Sequence, residues 1–133
     1  MRHSLKQGKP EHLWEEIKNR VPGAASIDQR NIWITYGKEI WSESPIPPEI
    51  LEHELIHVRQ QTVDMDKDVW WNNWLNDLEF RYKVELEGYR RQVEVVESQG
   101  KNIDKYKKQI ALILCGPIYG NIKSFSDVMV DLK

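Results

Sequence analysis

The clearest chemical signal in the sequence is a pair of histidines four residues apart, in the segment His53-Glu54-Leu55-Ile56-His57. In a helix, residues at this spacing project from nearly one side, one turn apart, so both imidazoles can bind one zinc ion at ~2.0–2.1 Å. Glu54 falls on the flank of that side, where it can reach a water on the ion without being a ligand. The pattern predicts His53 and His57 as ligands of Zn²⁺ and Glu54 as the general base. The alternative is a pair of histidines on a partly exposed helix face that binds no metal.

A third protein ligand must come from elsewhere, because catalytic zinc sites generally take three and keep the fourth position for water. A metzincin-type extension would need Gly at position 60 and His or Asp at position 63, where the sequence has Gln60 and Val63. Asp64 lies two turns beyond His57, ~10 Å along the axis of the same helix, and is too far away unless the helix breaks. The third ligand is therefore expected on another element.

Glu85 is the best candidate for this ligand. It is the only acidic residue on one side of a long helix predicted over residues 68–97, and a carboxylate among aromatic side chains is costly unless a positive charge meets it. Zinc held by the two histidines would supply that charge; the alternative is a structural salt bridge to Arg81 or Arg90. Glu79, Glu87, Glu94 and Glu97 lie on the other flank and are expected to be solvated. The side that carries Glu85 consists of Trp71, Trp74, Leu78, Tyr82, Glu85, Tyr89, Gln92 and Val96.

The spacing of these motifs resembles a known group of enzymes. His53-Glu54-Leu55-Ile56-His57 followed by Glu85-Leu86-Glu87-Gly88-Tyr89-Arg90 is similar to the gluzincin branch of the zincin metallopeptidases, and to small HExxH peptidase domains of bacterial and phage proteins. The resemblance covers residues 32–91. It implies a zincin-like fold with His53, His57 and Glu85 as zinc ligands and Glu54 as the catalytic base. Tyr89 departs from the pattern, because many gluzincins have an Asp there that supports a histidine; a phenol or a backbone carbonyl could replace it.

The surrounding elements predict an α+β fold in a single domain over residues 1–133. A helix is expected over residues 10–20, a β-hairpin over 32–41 with a turn at Gly37-Lys38, and the histidine helix over 48–63. The long helix over 68–97, a helix over 102–115 and a short helix over 125–132, opened by a capping box at Ser124, complete the chain. We therefore expect a small antiparallel sheet followed by a mostly helical core, in which the histidine helix packs against the long helix that carries Glu85.

Composition narrows the class of protein. The chain has 133 residues, with 19 basic and 21 acidic side chains and a pI near 6.1, so no overall positive field favours nucleic-acid binding. No apolar run approaches the ~18 residues of a membrane span, and the first 14 residues are too polar for a signal peptide, so a cytoplasmic location is expected. Cys115 is the only cysteine, which excludes an internal disulfide, and it is expected to be buried.

Three classes of function remain. The first is a zinc peptidase that acts on a peptide or protein, including peptidoglycan stem peptides, with the substrate added to a strand edge at residues 31–36 or 38–41. Four tyrosines are candidates to stabilise the oxyanion. The second class is a metal-binding domain without turnover that acts as a protein-interaction module, and the third is a helical adaptor without metal. The sequence does not specify the oligomeric state. The four tyrosines are Tyr36, Tyr82, Tyr89 and Tyr119.

Overall fold

The sheet and helices follow the predicted α+β order in the computed structural model, which describes residues 2–133. The sheet consists of β1 (Ser4–Gln7), β2 (Trp33–Tyr36) and β3 (Glu39–Ser42). Within the described residues, six α-helices follow or flank it: α1 (Glu11–Arg20), α2 (Pro48–Arg59), α3 (Lys67–Asn76), α4 (Leu78–Ser98), α5 (Ile103–Leu114) and α6 (Phe125–Asp131). A π-helical turn (Gln60–Asp64) continues α2, and short 3-10 turns lie at Ala24–Ser26, Gln29–Asn31 and Pro117–Tyr119. The predicted fold class is confirmed.

The predicted hairpin is present. Strands β2 and β3 are antiparallel, with Ile34 opposite Trp41 and Tyr36 opposite Glu39. Gly37 begins the turn with a φ of 62°, in the left-handed region that favours glycine. The short connection holds β2 directly beside the helix that follows the hairpin, and β2 contacts α2.

A third strand, which the sequence analysis did not predict, changes which edge of the sheet is free. Strand β1 pairs in parallel with β3, with Leu5 opposite Ile40. All four residues of β1 are exposed, so it shows none of the apolar alternation from which strands are predicted. Because β3 is the central strand, the expectation of a free edge at residues 38–41 is wrong, and β2 forms the edge on that side.

The prediction of a single helix over residues 68–97 is wrong, because this segment forms two helices, α3 and α4. Asp77 separates α3 from α4 and has an extended backbone, with φ −127° and ψ 106°. Its side chain accepts a hydrogen bond from the backbone N–H of Phe80, which caps the start of α4. The apolar spacing continues across this break, so periodicity alone did not reveal it.

Arg81 stabilises the junction between α3 and α4. It is 3% exposed, and its guanidinium donates to the backbone carbonyls of Trp74, Leu75 and Ile118. Two of these carbonyls belong to the last turn of α3, where helix carbonyls lack partners within the helix. The arginine therefore ties the end of α3 to the start of α4 and to the 3-10 turn at Pro117–Tyr119.

The buried apolar side chains form two clusters. One joins α1, β2 and α3, and the other joins α4, α5 and α6. Trp70, Trp71 and Trp74 are all buried in the first cluster. Cys115, expected to be buried, is only partly buried because it caps the end of α5. In residues 2–133, no helix has the length and apolar character needed to cross a membrane.

Candidate metal centre

The buried face of α2 is its polar face. His53, Glu54 and His57 are 5%, 6% and 4% exposed, and Val58 is fully buried, whereas Leu51 and Leu55 are only partly buried. The polar face packs against α4, with which α2 makes extensive contact. A helix that turns titratable side chains inward must offset the cost of their desolvation with partners in the site.

Three side chains from these two helices converge at one point. The Nε2 atoms of His53 and His57 are 3.1 Å apart, and each lies 3.1 Å from Oε1 of Glu85. Ligands of a tetrahedral zinc ion, each ~2.0–2.1 Å from the metal, are separated by about 3.3–3.4 Å. The structure thus brings together the three predicted ligands, and their spacing fits a zinc ion bound to all three.

Glu54 lies beside this triangle and not at one of its corners. One of its carboxylate oxygens accepts a hydrogen bond of 2.9 Å from the Thr35 hydroxyl, and the other lies 3.9 Å from Nε2 of His53. Candidate ligand atoms of His53, Glu54 and His57 also lie within 4.8 Å of one another, so this set too could hold an ion. Glu85 is the more central of the two carboxylates, because one of its oxygens lies 3.1 Å from the Nε2 atom of each imidazole. Thr35, on β2, was not identified from the sequence.

Gln60 determines which nitrogen of His57 carries the proton. The Gln60 side-chain oxygen accepts from the indole N–H of Trp70 and lies 2.9 Å from Nδ1 of His57. Since an indole nitrogen only donates, this atom of Gln60 is the oxygen, and Nδ1 of His57 must donate to it. The amide nitrogen of Gln60 donates to the Val84 carbonyl and to Glu87. Glu87, expected to be solvated, also forms an ion pair with Arg59 and so supports the site indirectly.

Gln92 supports His53 in the same way. Its side-chain oxygen lies 2.8 Å from Nδ1 of His53, and its amide nitrogen donates to the Tyr106 hydroxyl. The expected support from a phenol or a backbone carbonyl is thus provided by amide oxygens. Gln92 belonged to the predicted helix side without an assigned role, and Gln60 follows His57 by three residues, which was the only sequence signal for it.

These supports engage both Nδ1 atoms, so the Nε2 atom of each imidazole faces the convergence point and can bind a metal ion or a proton there. With both Nδ1 atoms donating, each neutral imidazole presents the lone pair of Nε2 to the triangle, and Glu85 adds a carboxylate oxygen. Three acceptors within 3.1 Å of one another repel unless a cation lies among them. This donor set, two imidazole nitrogens and one carboxylate oxygen, could hold a zinc ion.

The pKa values show the same preference for positive charge. Burial lowers the pKa of His57, but the carboxylates of Glu85 and Glu54 and the bond to Gln60 raise it by more, to about 9. Burial also raises the pKa of Glu85, yet the two imidazoles lower it further, to well below its usual range. Glu54 behaves differently: burial raises its pKa, in spite of the nearby imidazoles and Thr35. A carboxylate with a raised pKa is the kind of group that can both take and return a proton.

Gly88 makes room for the His53 ring and was not identified from the sequence. A Cβ atom at this position would lie 2.7 Å from Nε2 of His53 and 2.8 Å from its Cδ2. The signal was a glycine in the middle of a long helix, where it costs about 1 kcal/mol relative to alanine. Tyr89 packs edge-on against the same ring, with centroids 4.6 Å apart and an interplanar angle of 86°.

The alternative interpretation of Glu85 as a salt-bridge partner of an arginine is wrong. Arg81 donates to the backbone carbonyls described above, and Arg90 donates to the carbonyl of Asp131. The second oxygen of Glu85 instead accepts a 3.0 Å bond from the indole N–H of Trp74. Both carboxylate oxygens of Glu85 are therefore used within the site.

Two of the four candidate tyrosines are bonded elsewhere. The Tyr36 hydroxyl donates to Asp68 and the Tyr82 hydroxyl donates to Asp131, each with an oxygen–oxygen distance of 2.6 Å. Tyr89 and Tyr119 line the same cavity as the centre. These two phenols remain available to a substrate in the cavity.

The edge strand next to the site is partly engaged. The carbonyl of Thr35 on β2 accepts a 3.0 Å hydrogen bond from the indole N–H of Trp71. A peptide added to residues 31–36, as expected from the sequence, would meet this bond at Thr35. Trp33 lines the cavity, and Trp41 is not among its lining residues.

Comparisons of the chain with protein-family models, with curated proteins and with solved structures give no match.

Proposed function

We propose that this protein is a zinc-dependent peptidase in which His53, His57 and Glu85 hold the metal and Glu54 is the general base. The observation that carries the proposal is the convergence of two Nε2 lone pairs and a carboxylate oxygen within 3.1 Å of one another, with both Nδ1 atoms engaged. Zinc in such a site lowers the pKa of a bound water from 15.7 toward ~7 and polarises the scissile carbonyl.

The protein's own groups would move the proton. Glu54 accepts a proton from the attacking water as the oxygen bonds to the carbonyl carbon, and donates it to the amide nitrogen as the C–N bond breaks. Its raised pKa suits both transfers, and the Thr35 hydroxyl holds one of its oxygens so that the other is turned toward the centre. A positioned base of this kind is worth ~10²–10⁴ in rate.

A second candidate function is a metal-binding interaction module without turnover. The observation that favours it is the bond from Trp71 to the Thr35 carbonyl, which engages the strand edge that a substrate would use. Metal binding is common to both candidates, so only turnover distinguishes them.

The test compares zinc content and turnover in the wild type and two matched variants. Protein purified without a polyhistidine tag or chelators should contain near-stoichiometric zinc by elemental analysis. Glu54→Gln should keep the zinc and lose at least about 100-fold in cleavage of a peptide library. Glu52→Gln, on the same helix but paired with Arg91 at 3.6 Å, is the control and should retain both.

Two results would contradict the proposal. If zinc remains absent after incubation with zinc salts, both metal-dependent candidates are wrong. If the wild type binds zinc but cleaves no peptide, or cleaves at the rate of Glu54→Gln, the interaction module is favoured.

A further inference from the structure

The residues that line the cavity beside the centre constrain which substrates can bind there. It has a volume of about 660 Å³, and His53, Glu54, His57 and Glu85 all line it. The rest of its wall comes from α1, the segment that leads into β2, the tryptophan helix α3 and the inner face of α5. A substrate that reaches the centre must therefore place its neighbouring residues against these elements.

The charges on this wall are confined to the centre. Among the residues that the structure describes, no Lys, Arg or Asp lines the cavity, and its only carboxylates are Glu54 and Glu85. Both carboxylates already have partners, Thr35 for the first and the histidines and Trp74 for the second. Arg81, the buried cation nearby in the chain, donates to three backbone carbonyls.

We propose, given the function proposed above, that the substrate is an internal stretch of polypeptide with uncharged, mainly apolar side chains, so that the enzyme is an endopeptidase. A free terminal carboxylate or ammonium group that enters a cavity loses its hydration and needs an opposite charge in return. This wall offers none beyond the centre itself. The same argument disfavours peptidoglycan stem peptides, which carry several carboxylates and amines.

The apolar part of the wall supports the preference for apolar side chains. Four isoleucines on it are only partly buried, and Ile113 on α5 is 45% exposed. A substrate side chain that covers such surface gains about 25 cal/mol for each Å² of apolar area removed from water. A charged side chain at the same position gains less and also loses hydration. The four partly buried isoleucines are Ile27, Ile32, Ile50 and Ile118.

The test uses zinc-loaded protein and internally quenched peptides of equal length. One peptide has apolar central residues and blocked ends, a second has free ends, and two more carry central Asp or Lys residues. We expect internal cleavage of the blocked apolar peptide, no gain from free ends, and at least about tenfold lower kcat/KM for the charged peptides. Cleavage that requires a free end, or that is equal or faster on a charged peptide, would overturn the inference while leaving the peptidase proposal intact.

A matched pair of variants tests whether this wall is responsible. Ile113→Lys places a cation on the cavity and should reduce the preference for the apolar over the Asp peptide about two- to fivefold. Leu112→Lys places the same charge on the next residue of α5, which is 64% exposed and does not line the cavity, and should leave the preference unchanged. Equal effects of the two variants would contradict a role for this wall.

Equilibrium binding separates the inference from the proposed function. The blocked apolar peptide should bind the zinc-loaded Glu54→Gln protein at least about tenfold more tightly than the charged peptides, as measured by fluorescence anisotropy. If the wild type cleaves nothing, the peptidase proposal fails, and this binding preference still decides whether the cavity takes apolar segments. Equal binding of all four peptides would show that it does not.

Discussion

Two buried charged groups, Arg81 and Glu85, lie one helical turn apart on α4. They differ in whether the protein alone supplies all their hydrogen-bonding and charge partners. Arg81 is 3% exposed, and its guanidinium donates to three backbone carbonyls. Its Cζ atom also lies over the face of the Trp74 ring, 4.4 Å from the ring centroid. Glu85 is 9% exposed and meets two imidazoles whose Nδ1 protons are already used. The first group is satisfied by the fold alone. The second is satisfied only when a positive charge lies at the point of convergence, either a metal ion or the proton that a raised pKa favours on His57.

This difference separates a structural from a functional use of buried charge. For a buried ion with a full set of partners, the removal of one partner is strongly destabilising, because it leaves a buried charge or acceptor uncompensated. A buried set of acceptors that lacks a cation is destabilising as it stands, and binding energy from a ligand must offset the cost. Trp74 connects the two cases, because its carbonyl accepts from Arg81 and its indole donates to Glu85. Variants on either side of Trp74 should therefore show whether the two regions act independently.

The largest effect is expected at the arginine. Arg81→Met keeps most of the buried volume but leaves the carbonyls of Trp74, Leu75 and Ile118 without their donor. The free energy of unfolding should fall by about 3 kcal/mol, since breaking a buried charged network costs 3–5 kcal/mol. Chemical denaturation with and without a chelator measures it.

The comparison predicts that this loss is the same with and without zinc, because Arg81 needs no metal. Arg90→Met is the control, since Arg90 is exposed and donates to a single carbonyl, that of Asp131. A loss that appears only in the presence of zinc would show that Arg81 acts through the metal centre and would remove the distinction drawn here.

The next largest effect is expected at Gly88, on the other side of the comparison. Gly88→Ala introduces a Cβ 2.7 Å from Nε2 of His53, so the ring must move out of the triangle. The affinity for zinc, measured by competition with a chromophoric chelator, should fall about 10–100-fold, the range found when the orientation of a ligand is disturbed.

Gly88→Ala should instead stabilise the protein and leave the zinc affinity unchanged if the His53 ring does not lie against Gly88. Alanine is favoured over glycine in a helix by about 1 kcal/mol. A Gly88→Ala protein with wild-type zinc affinity and a raised free energy of unfolding would therefore contradict the placement of His53.

The sequence predicted the parts of this molecule that depend on local spacing. His53 and His57 share a helix face because of their spacing, and Glu85 was identified because an acid stands out on an apolar helix side. The hairpin at Gly37 and the cap at Ser124, whose hydroxyl accepts from the backbone N–H of Asp127, are likewise local.

The parts that the sequence did not predict depend on tertiary contacts or on backbone pairing. Strand β1 is held by main-chain bonds to β3 and has no buried side chain to mark it. Asp77 interrupts a helix across which the apolar spacing continues, so only its capping chemistry could have indicated a break. Nothing in the sequence distinguishes Gln60 and Gln92 from other glutamines in helices, because their role comes from tertiary contacts that bring their side-chain oxygens next to imidazole nitrogens. Gly88 alone gave an energetic signal, as a costly residue in mid-helix.

The smallest effect is expected at Glu87, where the metal centre meets the protein surface. Glu87 accepts a 2.9 Å bond from Gln60, and it pairs with Arg59 at a partly exposed position, where ion pairs contribute little. Gln60 keeps its bonds to Trp70 and the Val84 carbonyl without Glu87, so the imidazole of His57 should stay oriented. Glu87→Gln should therefore weaken zinc binding only about two- to fivefold.

Glu79→Gln, on the exposed start of α4, makes the same chemical change and should have no effect on zinc binding. If Glu87→Gln costs as much as Gly88→Ala, the charge of Glu87 reaches the metal through Gln60, and the centre extends to the surface. If Glu87→Gln and Glu79→Gln behave alike, the centre ends at the amide of Gln60. Either result shows how far toward the surface the residues that depend on a bound cation extend. The junction around Arg81, in contrast, should not depend on a cation.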